Sequence, residues 1–412
     1  MDIIKKIEFS FSENIILSII LLNVLVFSSL PVVNIGITNN CILLVLIFLF
    51  LFLVNIDSTK LFSIISIKIN VFLFLGLSII FFFIISSFYI NFDYNLRLSA
   101  IAKLSIYPVI ISFFLFYIPR LIYKKSLLFE KFLNFWLYIA ISSIFTALVI
   151  LYLGIEYKYE YSGLAIGFYY SPNIFAFVFT FTIPIIIYKY LAKRISLIPF
   201  LFLLIPSLIC LLFTFSRAGY LGVFTAIVIL LYKRSKKLFI IGAVILIFLG
   251  STVVLPIAQT KGASSAVSRV EVMYAGYNMI MNNGISKFLW GYGVINSRAV
   301  FVREVTNIYG LYREELGPHN AILSLGIQFG MLLTFSSLAY ILLLVFKASF
   351  WKKKLVQFEY SQRVSLSISI VLGIMIQCLF EDLVIYPEFF AMPLFLVFLG
   401  YLYYFVNSSN KT

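Results

Sequence analysis

The chain has 412 residues, of which 63% are hydrophobic and only 11% charged, with a mean hydropathy of +1.08. No soluble domain of this length buries enough surface to use such a composition, and the period-2 alternation of an outer-membrane barrel is absent. The formal net charge of +15 would suit nucleic acid, but its distribution along the chain follows membrane topology instead, so no nucleic-acid partner is expected.

Apolar runs of about twenty residues recur, the length that crosses a bilayer as helix. Backbone polar groups in lipid need internal partners, so these runs are expected to be helices. The sequence predicts an all-α inner-membrane bundle of roughly twelve spans. They run near Ile15–Val33, Cys41–Val54, Val71–Ile90, Ser99–Ile118, Phe132–Leu153, Pro172–Tyr188, Ile195–Phe215, Ala218–Tyr232, Leu238–Pro256, Asn320–Phe346, Val364–Phe380 and Leu383–Phe405. Tyr169-Tyr170-Ser171-Pro172-Asn173 precedes the sixth and is a candidate break in it. The first span follows Lys5-Lys6 and lacks a small-residue cleavage site, so it reads as an uncleaved signal anchor. Residues 1–412 form a single integral membrane domain on this reading.

With the N-terminus in the cytoplasm, the inner connectors carry about two thirds of the Lys and Arg, and the outer ones balance acid against base. The whole positive excess then falls on the inner side, which places both termini of the multi-pass chain in the cytoplasm. Anionic membrane lipid is the expected partner of that charge. Arg363 is counted among the inner connector residues, and its exchange for Lys is expected to be silent. Cys41, Cys210 and Cys378 lie in or beside apolar spans, with neither disulfide nor metal-ligand spacing. No metal and no cofactor are expected.

The long hydrophilic stretch is residues 257–318, placed on the periplasmic side between the ninth and tenth spans. Ser268 to Asn282 reads as a helix with Val270, Met273, Tyr274, Tyr277 and Met281 on one apolar face, stopped by Asn282-Asn283-Gly284. An aromatic, glycine-rich turn, Phe288 to Gly293, follows, and a second short helix is expected through residues 298–315. These segments predict a helical cap over the outer face, with Trp and Tyr at headgroup level.

The stretch ends at Gly317-Pro318-His319-Asn320, and His319 is the only histidine of the chain. Imidazole titrates closest to neutral pH, which suits proton transfer; the plain alternative is a structural hydrogen-bonding group. Arg217, in Phe215-Ser216-Arg217-Ala218-Gly219, lies between two spans with almost no loop. Arg97, Lys103 and the pair Glu381-Asp382 also sit at or inside apolar runs, where ionisable groups face a cavity or partner, or snorkel to the interface. By topology Arg217, Arg269 and His319 share the outer face with Arg298, Arg303 and Arg313. Arginines beside one imidazole suit an anionic substrate presented by the membrane, because the guanidinium fork holds two oxygens of a diphosphate.

These residues resemble the bacterial O-antigen polymerase and O-antigen ligase superfamily. The resemblance is carried by Thr214-Phe215-Ser216-Arg217-Ala218-Gly219, by Arg269 opening a helix that leads to Trp290-Gly291-Tyr292-Gly293, and by His319-Asn320-Ala321-Ile322-Leu323 with Gly326 and Gly330. It covers about Ser207 to Gly400; over the N-terminal half only the hydropathy is similar. It implies a metal-independent membrane glycosyltransferase acting at the periplasmic face of a bacterial inner membrane on glycans linked to undecaprenyl diphosphate. Arg217 and Arg269 would hold the diphosphate, and His319 would activate or orient the acceptor hydroxyl. Arg298, Arg303, Arg313, Glu314 and Asn320 are further candidate substrate contacts. The implied function is polymerisation of O-antigen or capsular repeat units, with a chain-length regulator as a candidate partner. The alternative is ligation of the glycan to lipid A core. A secondary transporter or flippase is the remote third reading, disfavoured because the polar groups gather on one face rather than at midplane sites between repeated halves.

Overall fold

The computed structural model describes residues 111–154, 164–169, 171–249, 263–309, 317–350, 358–382 and 390–408. The first three expected spans, most of the fourth, Arg97, Lys103 and Cys41 lie outside these residues. All regular structure among the described residues is helical. A π-helical turn, Ser112–Tyr117, runs into α1 (Ile118–Lys124). There follow α2 (Ser126–Leu153), α3 (Pro172–Leu191), α4 (Leu197–Thr214), α5 (Arg217–Arg234) and α6 (Lys236–Leu249). Next come α7 (Ala263–Asn282), α8 (Gly284–Trp290) and α9 (Val294–Tyr309). The C-terminal part holds α10 (Ala321–Phe329), α11 (Met331–Phe350), α12 (Phe358–Gln377) and α13 (Ala391–Ser408).

Five of these helices, α2, α3, α4, α11 and α13, are long and apolar enough to cross a membrane. They differ in what they bury. Helix α3 is almost wholly enclosed, whereas α4 leaves Ile198, Phe202 and Ile205 exposed. Large apolar side chains exposed in a row belong against lipid rather than water, so α4 reads as a peripheral helix. The protein is a multi-pass membrane protein of the helical kind, and the motif Ser171-Pro172 begins the sixth expected span rather than breaking it. The Ser171 hydroxyl caps the helix by accepting from the Ile174 amide at 3.3 Å, and Pro172 occupies a first-turn position where no amide is needed.

Helices α3, α5, α12 and α13 form the centre, with α5 packed along α12 and both against α3. The approach of α5 to α12 is close because two glycines meet. A Cβ on Gly373 would lie 2.7 Å from the Gly222 carbonyl oxygen, and one on Gly222 would lie 3.0 Å from that of Gly373. Small residues at such crossings let helix backbones touch, which is how helices associate where lipid gives no hydrophobic drive. Gly222 also faces Gln377, and Gly373 also faces Ala226. The two helices are therefore antiparallel, and the start of α5 lies at the end of the bundle where α12 stops.

Two sequence expectations need correction and one needs completing. The tenth expected span, Asn320–Phe346, is two helices divided at Gly330, which holds φ +83 and ψ 160, a conformation essentially reserved for glycine. The apolar face expected on α7 is the outward one, with Val270, Tyr274, Tyr277 and Met281 exposed, and the sequence reading missed a second face, Val272, Ala275, Met279 and Ile280, which is buried against Phe301, Val305, Ile327 and Met331. Both faces of α7 are apolar, so its periodicity could not say which one packs. Finally, Arg363 is no solvated connector residue. It is 1% exposed, its guanidinium lies over the rings of Phe129 and Tyr360 at 5.4 and 5.7 Å, and Tyr188 and Tyr401 are close to its charge. Near it Glu130 accepts from the Tyr188 hydroxyl at 2.9 Å and from Lys189 at 3.3 Å, giving the bundle a buried ionic knot.

Candidate functional site

The expected helical cap is real in its secondary structure: α7, α8 and α9 fill most of the hydrophilic stretch. It is stitched to the bundle where α10 ends. The last carbonyls of a helix lack intrahelical partners, and here the Tyr292 amide donates to Ile327 O at 2.7 Å and the Gly293 amide to Gln328 O at 3.0 Å. The motif Trp290-Gly291-Tyr292-Gly293 thus supplies the cap of α10. Gly291 and Gly330 allow it: a Cβ on Gly291 would lie 2.6 Å from the Gly330 nitrogen, and one on Gly330 would overlap the Leu289 carbonyl.

The start of α10 is fixed as firmly. Asn320 is its N-cap; the side-chain oxygen accepts from the Leu323 amide at 3.0 Å, the standard use of Asn at that position. Its Nδ2 donates to Leu379 O at 2.8 Å, and the Ala321 amide donates to Cys378 O at 2.8 Å. These bonds hold the segment around His319 against the connector that leaves α12. His319 itself has φ 49, a left-handed backbone that histidine enters more readily than most residues. The turn at Gly317-Pro318 therefore swings the imidazole back toward that connector.

Glu381 is the meeting point. Its side chain is 4% exposed, one carboxylate oxygen lies 3.1 Å from the Arg269 guanidinium, and the other lies 3.7 Å from His319 Nδ1. The Arg269 contact is an ion pair without hydrogen-bond alignment, and the His319 distance exceeds that of a hydrogen bond. Both partners are partly exposed, Arg269 at 39% and His319 at 33%, so each can meet a ligand from outside while leaning on a buried carboxylate. Beside it, Asp382 accepts from Ser324 at 2.8 Å. Burial pushes the Asp382 carboxyl above its ordinary range, while the Ser324 hydrogen bond and nearby His319 pull the other way. The same carboxylate backs the His319 turn, since a Cβ on Gly317 would lie 3.0 Å from it.

The structure brings Arg269 and His319 together through a residue that the sequence ranked low. Glu381-Asp382 stood out only as charge interrupting an apolar run, and Ser324 carried no signal. Arg217 is exposed and opens α5 at the same end of the bundle. The Ser216 hydroxyl caps that helix by accepting from the Gly219 amide at 3.3 Å. Two helix starts, those of α5 and α10, accordingly face this end with positive dipole ends, which favour an anion. Arg298 and Arg303 are exposed on α9, and Arg303 and Glu304 act on Tyr292, on the side where the cap meets α10. The side-chain amide of Asn320 is engaged at both ends within the protein. Arg313 and Glu314 lie outside the described residues.

Residues 201–338 match the family model described as O-antigen ligase. The match covers about a third of the chain and contains Arg217, Arg269 and His319, and the resemblance to the O-antigen polymerase and ligase superfamily stands on it. A search of curated proteins finds no match. A membrane glycan-modifying enzyme of polymerase or ligase type is the function this family match supports.

Proposed function

We propose that this chain, similar over residues 201–338 to the O-antigen ligase family model, polymerises repeat units carried on undecaprenyl diphosphate, at the periplasmic face of a twelve-span inner-membrane bundle. The observation that carries the reading is the convergence of Arg269 and His319 on one buried carboxylate, Glu381. The glycosyl bond to the diphosphate breaks as the acceptor hydroxyl attacks, and undecaprenyl diphosphate leaves. Arg217 and Arg269 hold the leaving diphosphate and offset the charge that develops on it; fixed donors aimed at developing charge are a large part of such catalysis. Arg269 exchanges its contact with Glu381 for the phosphate oxygens as the donor arrives.

His319 takes the acceptor proton. Its Nδ1 side faces Glu381, which leaves Nε2 for the hydroxyl; the nearby carboxylate charge steadies the imidazolium that forms. Asn320 positions the ring by holding the turn. No metal is assigned a role in this scheme.

The experiment is product analysis with the purified protein and purified lipid-linked repeat units, with and without a lipid A core acceptor. Chains lengthening on the lipid carrier alone support polymerisation. Transfer only when the lipid A core is present assigns ligation, and the absence of both products refutes glycosyl transfer.

A further inference from the structure

The cap has a second apolar face that the site does not use. Val270, Tyr274, Tyr277 and Met281 recur at i, i+4, i+7 and i+11 along α7, one stripe of a helix, and each is about half exposed or more. Ile285, at the start of α8, continues the stripe at 80% exposure. The opposite face of α7 is the one packed into the protein, so this stripe is a surplus of apolar surface pointing away from it.

What covers the stripe can be read from its continuation. Helix α8 packs on α11, joined there by the contact of Leu289 and Gly291 with Gly330. Helix α11 is a membrane-spanning candidate, and its exposed row Leu332, Phe335, Leu342, Leu343 and Phe346 begins at that joint. Helix α8, which carries the last residue of the stripe, thus meets α11 where its exposed apolar row begins. The composition of the stripe fits the boundary layer rather than the hydrocarbon centre: Tyr274, Tyr277 and Trp290 each present an apolar ring with a polar tip, the side chains enriched at that level. Lys287 follows Ile285 closely, its amine 5.1 Å from the Tyr292 ring centroid, a cation placed for headgroup phosphates.

We propose that the outward stripe of α7 and α8 is seated in the headgroup–acyl boundary of the leaflet next to the site, so that lipid, not a second copy or a protein partner, is its occupant. An amphipathic helix in that position sinks about 5–10 Å into the boundary. The start of α7, carrying Arg269, then lies at the depth where a lipid-borne diphosphate travels. The inference rests on the membrane reading and on the cap lying over the diphosphate site, but not on the choice of reaction.

The test uses full-length protein with its native cysteines replaced, labelled with an environment-sensitive fluorophore at Ile285→Cys or, independently, at Tyr274→Cys. The protein is reconstituted in phosphatidylcholine vesicles containing lipids with a nitroxide quencher near the headgroup or near the chain end. The proposal expects blue-shifted emission at both positions, with most of it lost to the shallow quencher and little to the deep one. Emission typical of water and quenched by dissolved iodide would overturn it. Blue-shifted emission indifferent to both lipid quenchers would assign the stripe to protein contact and overturn it equally. Since the readout is lipid contact and not product, a lipid-seated cap on a protein without transferase activity would refute the proposed function while leaving this inference intact.

Discussion

Replacing Gly330 with Ala tests how the cap is held. Gly330 sits at φ +83 and ψ 160, where a side chain costs about 1–3 kcal/mol of backbone strain. The added methyl would also overlap the Leu289 carbonyl and press on the Trp290 nitrogen. The backbone of Leu289 and Trp290 would have to retreat, and with it the two bonds from Tyr292 and Gly293 to the end of α10. At about 0.5–1.5 kcal/mol each, their loss brings the total to roughly 2–6 kcal/mol. Gly284 is the matching control. It also has φ +83, but a Cβ there meets nothing within 4 Å, so Gly284→Ala should cost only about 1–2 kcal/mol of left-handed strain. Thermal unfolding of the purified protein in detergent, followed by tryptophan emission, measures both. Trp290 lies at the joint and should report the release of the cap as a red shift in the Gly330 variant alone. Equal melting temperatures for the two variants, with unchanged Trp290 emission, would refute the docked cap.

Arg363→Lys should destabilise the fold by about 1–2 kcal/mol through weakened cation–π contact, read as a lower melting temperature, where a solvated connector residue would leave it unchanged. Arg217→Lys and Arg269→Lys should insert normally yet lose most glycan product, because a point charge does not reproduce the bidentate fork; full polymerisation by both would remove the diphosphate clamp. For Asp382 the sign follows from burial, which raises its carboxyl. Such a group favours the folded state fully below its unfolded pKa and loses that contribution as pH rises through the folded value. Asp382→Asn should therefore gain in melting temperature relative to the parent as pH is raised from the ordinary aspartate range, about 4, through the raised folded value, and a pH-independent difference would show that ionisation is not involved.

The helices were legible in the sequence because lipid imposes length and polarity on each span. Helices α2 to α5 begin and end close to where the apolar runs do. The break at Gly330 was hidden because apolar residues flank it on both sides, and its cause, the backbone of Leu289, lies in another element. Arg363 was misread for a related reason. Charge counting assigns every basic residue to a connector, but a guanidinium can be buried when rings such as those of Phe129 and Tyr360 take its face. In the candidate site, Arg269 and His319, which the structure brings together, stood out in the sequence by residue type and placement, as did Arg217. Glu381 could not be joined to Arg269 and His319, since that link depends on how the turn before α10 and α7 dock beside the end of α12.

The most direct measurement is the glycan chain-length distribution in a strain lacking the native gene and complemented with His319→Ala, His319→Gln or the parent protein at matched membrane levels. Removing a positioned proton acceptor should reduce the rate roughly 10²–10⁴-fold, so the account predicts that both variants insert in the membrane but make no long chains. Near-normal long chains from His319→Ala would contradict it, and near-normal chains from His319→Gln alone would reduce His319 to a positioning residue.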